Sequence, residues 1–371
     1  MPPAVEIAVK VFVFVLGAAL VVRTMLSAIR AFVLPRASND NVARPVFRVS
    51  RRLFDLAAGR NRPYLFRDRI LAYYAPVTLI VVLIYWILLV ALGYAAMFWA
   101  IGAGTSAEAL NLSGSSVLTL GFAYSAAPGA NLLSFSEAAL GLILVALLIA
   151  YLPTIYGAFS RRELLVDLLE VRADTPPSAV VLLTRFERLR GLDALHEMWE
   201  RWEVWFSELG ETHTALPVLV FYRSPKPEHS WVNAAGAIID TAALVRSAVD
   251  VPGDVQADLT IRAGYLALRR IADFFNVRYD PNPHQMDPTS ISRARFDEVL
   301  AVLDSAGVPL KADRDAAWRD FNGWRVNYDA VLVALARITM APPSWWDLPM
   351  VSAYATDEPG LRDVAVSAPG G

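Results

Sequence analysis

Residues 70–107, ILAYYAPVTLIVVLIYWILLVALGYAAMFWAIGAGTSA, run 38 positions without a charged side chain. The densest part, Val77 to Trp99, exceeds the roughly 20 residues needed to cross a hydrocarbon core. Tyr73, Tyr74 and Trp99 bracket it, as expected of amphipathic rings at the two interfaces. Toward the C-terminus, residues 138–160 form a second uncharged run of 23, closed by Arg161-Arg162. Toward the N-terminus, Val11 to Val22 is apolar but bounded by Glu6, Lys10 and Arg23. A basic residue ahead of an apolar core also begins a signal peptide. No small-residue cleavage site follows, and Arg23, Met25 and Arg30 continue a helical pattern, so a retained helix is expected within residues 1–34. Residues 5–26 span if Lys10 and Arg23 snorkel to opposite interfaces, and otherwise lie in the interface.

Charge is segregated along the chain. Overall it is 371 residues, 56% hydrophobic and 19% charged, with a net charge of −2. Residues 1–69 hold 12 Lys and Arg against 4 Asp and Glu, whereas residues 70–160 hold no basic residue and two acids, Glu108 and Glu137. Residues 161–371 hold 22 basic against 30 acidic residues, so near-neutrality is a cancellation between a basic and an acidic end. A single soluble globular domain is excluded by this distribution. Eleven arginines between Arg23 and Arg69 place that linker, residues 35–69, in the cytoplasm facing lipid headgroups. The span after it then exits, the span ending at Arg161-Arg162 returns, and the acidic C-terminal half is cytoplasmic. Arg44, Arg48, Arg51, Arg52 and Arg60 do not recur every third position within an apolar helix, which argues against a voltage sensor.

Absent residues exclude further classes. Without cysteine there is no disulfide, thiolate zinc site, iron–sulfur cluster or cysteine nucleophile. Four histidines spread through the second half leave little for a His-based metal site. No phosphate-binding glycine loop and no nucleophile–base pair is visible, so no enzyme activity and no resident cofactor are expected. The basic stretch lacks interleaved aromatics, so no nucleic-acid partner is expected either. Only Lys10, Lys226 and Lys311 are lysines, an arginine bias that reads as GC-rich, bacterial coding, and with the spans the expected location is a bacterial inner membrane.

Between the two central spans, Ala109 to Ser136 contains no charge. Its pattern predicts a short helix from Ser106 to Thr119, capped by Ser106 with Glu108 in its first turn, then an irregular Gly/Ala/Ser/Pro segment. Non-helical backbone at membrane depth survives only where protein shields it or where it lines water. A helix and loop that dip in and return therefore read as a re-entrant pore element.

Ser116-Val117-Leu118-Thr119-Leu120-Gly121-Phe122-Ala123 resembles the pore-helix end and filter of the potassium-channel pore-loop superfamily. Thr119, Gly121 and Phe122 match the family's T-x-G-[YF]-G, Leu120 is an apolar x, and Pro128 falls near the family's proline. Glu137 and Gly141 resemble the start and hinge glycine of its inner helix. Pro153 sits where a second kink narrows the cytoplasmic mouth. The resemblance covers residues 70–160 and implies an outer helix (70–102), a pore helix and filter (106–125, with Ser115 and Ser116 on the pore helix) and an inner helix (133–160). It further implies a homotetramer in a lipid membrane whose ion filter is Thr119 to Ala123 and whose permeant ion is K+ or another monovalent cation. Two positions depart from the pattern. Ala123 replaces the second filter glycine and Tyr124 the following aspartate. Left-handed backbone at Ala123 would cost roughly 1–2 kcal/mol, which weighs against strict potassium selectivity more than against cation passage. A non-conducting membrane-anchored scaffold or sensor is the alternative. Gly141 fits a close helix contact as well as a hinge, and Pro153 fits a plain kink as well as a gate.

The cytoplasmic part, residues 161–346, reads as helical. Arg161 to Val171 extends the inner helix, and Thr175-Pro176-Pro177 ends it. Leu192, Leu195, Trp199, Trp202, Phe206 and Leu209 alternate three and four apart, a buried helix face or a short subunit seam. Pro217 to Tyr222 resembles a lone strand. Helical periodicity then covers Val232–Val249, Val255–Phe275, Ser290–Ser305 and Asp313–Met340, with Asp254 and Asp313 as caps. His196 with Glu200, and His284 with Asp287, are weak metal pairs that read better as solvated charges. Asp315, Asp320 and Asp329 read as surface charges, and Trp345-Trp346 suit either a bilayer interface or the helical domain. Nothing identifies a ligand for this domain. The tail, residues 347–371, is Pro/Gly/Ala-rich and expected to be disordered. The fold expected is thus a membrane all-α protein: a two-transmembrane-helix pore module with a re-entrant pore helix, an extra N-terminal membrane helix and a C-terminal cytoplasmic helical domain.

Overall fold

The computed structural model describes residues 2–32, 42–59, 61–189 and 191–348. The expected tail from residue 349, and Arg36 and Arg60, lie outside the described residues. The chain is all-helical: among the described residues there is no strand, only an isolated bridge between Val249 and Leu310. Two compact units result, residues 1–161 with 212–223, and residues 162–211 with 224–371.

The first unit contains α1 (Pro3–Phe32), α2 (Arg44–Ala58), α3 (Tyr64–Ala72), α4 (Tyr74–Ala100), α5 (Ser106–Val117) and the first part of α6 (Ala130–Ala173). Pro3–Phe32, Tyr64–Ala100 and Ala130–Ala173 are each long and apolar enough to cross a membrane. Helix α1 packs along α4 through small residues, the means by which apolar helices associate in lipid. At the crossing, a Cβ on Gly17 would lie 2.5 Å from Gly93 O, and one on Gly93 would lie 2.8 Å from Gly17 O. Trp86 Nε1 donates to Ser27 Oγ at 3.0 Å, both buried, and Phe32 meets the Trp86 ring edge-on at 5.2 Å. The N-terminal helix is thereby a packed element of the unit.

Within the arginine-rich linker, residues 44–58 and 64–72 are helical. Pro45 suits the first turn of α2, where its missing N–H costs nothing. Three faces of α2 separate cleanly. Phe47, Ser50 and Phe54 turn inward, Arg44, Arg48 and Arg52 form an exposed stripe, and Val49, Leu53 and Leu56 form an exposed apolar stripe beside it. Arg51 lies over the Tyr74 and Phe221 rings, 5.4 and 5.6 Å from their centroids.

Pro217–Phe221 is a 3-10 turn, not the strand its β-prone residues predict. A lone strand would leave its backbone unpaired. The turn closes local bonds instead, Leu219 N to Leu216 O at 2.8 Å and Tyr222 N to Leu219 O at 3.1 Å. It packs with Ala75, Leu79, Tyr151 and Ile155, and Arg223 pairs with Asp68 at 2.6 Å.

The second unit contains the end of α6, α7 (Ala179–Leu189), most of α8 (Leu195–Ala215), α9 (Trp231–Ala248), α10 (Val255–Phe274), α11 (Arg293–Ser305), α12 (Arg314–Arg325) and α13 (Asp329–Thr339). Helix α9 is buried on nearly every face, and its alanines and Gly236 let α7, α10, α12 and α13 approach it. Asp254 caps α10 through Gln256 N at 2.8 Å, and Asp313 caps α12 through Ala316 N at 2.9 Å, as their positions predict. The 3–4 seam from Leu192 to Leu209 is buried within the unit, the first of its two readings. Asp313–Met340, expected as one helix, turns at Val326–Tyr328 and becomes α12 and α13. The turn carries Tyr328 onto α9.

A buried polar network sits at that turn. Asp240 of α9 accepts from Arg325 Nη1 at 2.5 Å, Tyr328 Oη at 2.7 Å and Trp346 Nε1 at 2.7 Å. Asp329 is buried, not the surface charge expected, since it accepts from Arg325 Nε at 2.7 Å and Ser290 Oγ at 2.6 Å. Trp345 and Trp346 are likewise buried in this unit. Burial alone would depress the Arg325 pKa, but Asp240, Tyr328 and Asp329 outweigh it and the guanidinium stays charged. Burial pushes the Tyr328 phenol far above its ordinary value, so it remains a donor.

Candidate functional site

The segment between α4 and α6 is organised by α5. Its N-cap is Thr105 rather than Ser106. Thr105 Oγ1 accepts from Glu108 N at 3.3 Å, while Glu108 Oε2 accepts from Thr105 N at 2.7 Å. This T-x-x-E reciprocal cap satisfies two orphan donors of the first turn. The hydrogen bonds from Thr105 hold the Glu108 carboxyl below its usual range. At the other end, carbonyls without helical partners give α5 a negative terminus, and that end leads directly into the irregular turn.

Ser115 and Ser116, expected on a pore helix, differ in what their hydroxyls hold. Ser116 Oγ donates back to Leu112 O at 2.8 Å, within its own helix. Ser115 Oγ is buried and accepts from Phe122 N at 3.0 Å and Ala123 N at 3.1 Å. Ser115 O also receives Leu120 N at 2.8 Å and Gly121 N at 3.4 Å. One residue thus pins four positions of backbone. The turn it holds is presented outward: Thr119, Leu120, Gly121 and Phe122 are exposed, Leu120 at 61% and Phe122 at 70%.

Left-handed backbone occurs at Thr119 (φ 55°) and Gly121 (φ 72°), whereas Ala123 has no positive φ. The strain expected at Ala123 is therefore not incurred there. A β-branched threonine with positive φ is costly, and it lies at the residue expected to open the filter.

Helix α6 backs this turn. Gly141 lies against the C-terminal end of α5, where a Cβ would come within 2.2 Å of Val117 O. That contact supplies a packing reason for the glycine. Glu137, one turn earlier, is fully buried; its Oε1 accepts from Ser113 Oγ at 2.5 Å, and the same hydroxyl lies 2.8 Å from Ala91 O. One serine ties α4, α5 and α6. Pro153 is an exposed position inside the continuous α6.

The histidine pairs singled out in the sequence are ordinary contacts. His196 is exposed, 3.0 Å from Asp254 and 3.7 Å from Glu200, and the Asp254 hydrogen bond raises its pKa. Asp287 accepts from the His284 backbone N at 2.7 Å, closing a turn. A different group, Asp167, Glu170 and His229, brings its ligand atoms within 4.8 Å of one another. Sequence reading missed it because His229 lies in a separate loop; the D-x-x-E spacing on one helix was the available signal. No protein-family model, curated protein or solved structure matches this chain.

Proposed function

We propose that the chain is the subunit of a homotetrameric membrane pore for monovalent cations, built on the pore-loop plan, with K+ as the reference ion. The observation that carries this reading is the exposed turn Thr119–Phe122, held by Ser115 at the C-terminal end of a short capped helix between two long apolar ones. A helix C-terminus directed toward such a turn favours a cation, and residues 70–160 contain no basic side chain to oppose it. Exposed Leu120, Phe122 and Tyr124 suit a surface that further copies of the chain cover. The positive-inside bias puts the linker and the acidic helical part in the cytoplasm, where the latter assembles or gates the pore. The adjoining arginine and apolar stripes of α2 fit a helix lying in an anionic membrane surface.

Purified protein in liposomes is expected to carry a K+ flux that Gly121→Val reduces to background. Valine at φ 72° would be forced out of the left-handed region and would take the turn with it. Flux unchanged in Gly121→Val removes Thr119 to Ala123 from the conduction path. Ala123→Gly frees this position to take the left-handed backbone that Ala123, with no positive φ, does not adopt, and is expected to raise the K+ over Na+ permeability ratio under bi-ionic conditions. A ratio that does not move refutes the account of Ala123.

The alternative, a non-conducting scaffold or sensor, draws on Ala123 and Tyr124 at the two departing positions. Wild-type protein that stays monomeric or dimeric and passes no ion selects it.

A further inference from the structure

We propose that Asp167, Glu170 and His229 form a binding site for a divalent transition-metal cation of the zinc class, with Lys226 as its built-in competitor. Asp167 and Glu170 stand three residues apart on α6 and share one helix face. Lys226 and His229 come from the loop ahead of α9, where His229 N donates to Lys226 O at 3.1 Å and shapes the turn. The carboxylate and imidazole ligand atoms all fall within 4.8 Å of one another.

The histidine is the telling member. His229 is 8% exposed, and its Nε2 is buried without a hydrogen-bond partner while lying 3.2 Å from Glu170 Oε2. A buried ring nitrogen left unbonded is costly, and this one faces the two carboxylates. Bonds of about 2.0 Å in a tetrahedral site separate neighbouring ligand atoms by roughly 3.3 Å. The observed separation matches that edge. One imidazole with two carboxylates favours zinc and its neighbours over the all-oxygen sites of calcium and magnesium, and leaves a fourth position for water.

Lys226 Nζ pairs with Glu170 and lies 3.4 Å from Asp167, so an ammonium neutralises the carboxylates where a metal would. Its side chain is half-exposed on a flexible stem and can leave toward solvent. Asp167 is exposed and offers the entry side. A bound metal fastens the last turns of α6 to the loop preceding α9. This site stands independently of the pore reading.

The test is calorimetric titration of the full-length protein in detergent with Zn2+, backed by the visible spectrum of bound Co2+, which reports a tetrahedral site. One ion per chain is expected. His229→Gln should weaken binding by more than about tenfold, the scale at which even supporting groups act on a metal. Asp167→Asn, at an exposed position that does not risk the fold, should also weaken it. Lys226→Ala should tighten it, the opposite of what loss of a merely structural ion pair would do. Wild-type affinity in both ligand variants overturns the site, as does absence of zinc binding in Lys226→Ala.

Discussion

Gly141→Ala is expected to lower the thermal midpoint of the solubilised protein and, on the proposed pore function, to abolish cation flux, although it adds only one methyl group. The new Cβ would lie 2.2 Å from Val117 O, well inside any tolerated contact. What it meets is backbone at the end of α5, so no side-chain rotation relieves it. Either α6 shifts or the end of α5 lifts away, and the Ser115 bonds to Phe122 and Ala123 shift with it. Overpacking of this kind costs typically about 1–3 kcal/mol. Gly114→Ala is the internal control: it lies on α5 itself with nothing within 4 Å of an added Cβ, and a helical Gly→Ala change there is neutral or stabilising by about 0.4–1 kcal/mol. If Gly141→Ala keeps the wild-type midpoint and alters only the flux assigned to the proposed pore, the glycine is a hinge and the packing explanation fails.

Asp240→Asn is expected to have the largest effect on the second unit. The carboxylate receives Arg325, Tyr328 and Trp346 together. An amide offers one acceptor oxygen, presents a donor where an acceptor stood, and leaves Arg325 with Asp329 as its remaining carboxylate. Removing one partner of a buried pair costs about 3–5 kcal/mol, which in a unit of this size lowers the midpoint by roughly 10 °C. Differential scanning fluorimetry and limited proteolysis read the loss. Because α9, α12, the Val326–Tyr328 turn and the Trp345–Asp347 turn all meet at this carboxylate, proteolytic sites should open in all of them at once. A midpoint within a degree of wild type would show that packing around α9 holds the unit without the network.

The long apolar helices were legible because their signal is local: Tyr64–Ala100 and Ala130–Ala173 each carry a long uncharged run, and Pro3–Phe32 a shorter one bounded by Lys10 and Arg23. Caps were nearly as legible, with Asp254 and Asp313 read at the right residue and α5 misread by one. The Thr105 side chain and Glu108 make the three-residue reciprocal pair, which the Ser106 reading passed over. Pro217–Phe221 misled because β-propensity describes fitness for a pleated surface, and there is no neighbouring strand among the described residues to supply one. Asp329 misled for a related reason. Helical spacing says which residues share a face, but only the turn at Val326–Tyr328 shows that this face meets Arg325 and Ser290. In the candidate site, the order of span, short helix, turn and span was readable from composition. The role of Ser115 was not, since a serine before a loop looks the same whether its hydroxyl points back, as in Ser116, or forward. The grouping of Asp167, Glu170 and His229 depends on two distant segments and has no one-dimensional trace beyond the helical carboxylate pair.

Helix α6 is 44 residues long, about 66 Å at the usual rise, or roughly twice the thickness of a hydrocarbon core. Gly141 and the last turns, where Asp167 and Glu170 stand, thus belong to one helix with no loop between them. Its single weak coupling is Pro153, whose missing N–H leaves the Ile149 carbonyl without its helical bond. A bend in α6 is expected at this point before any other.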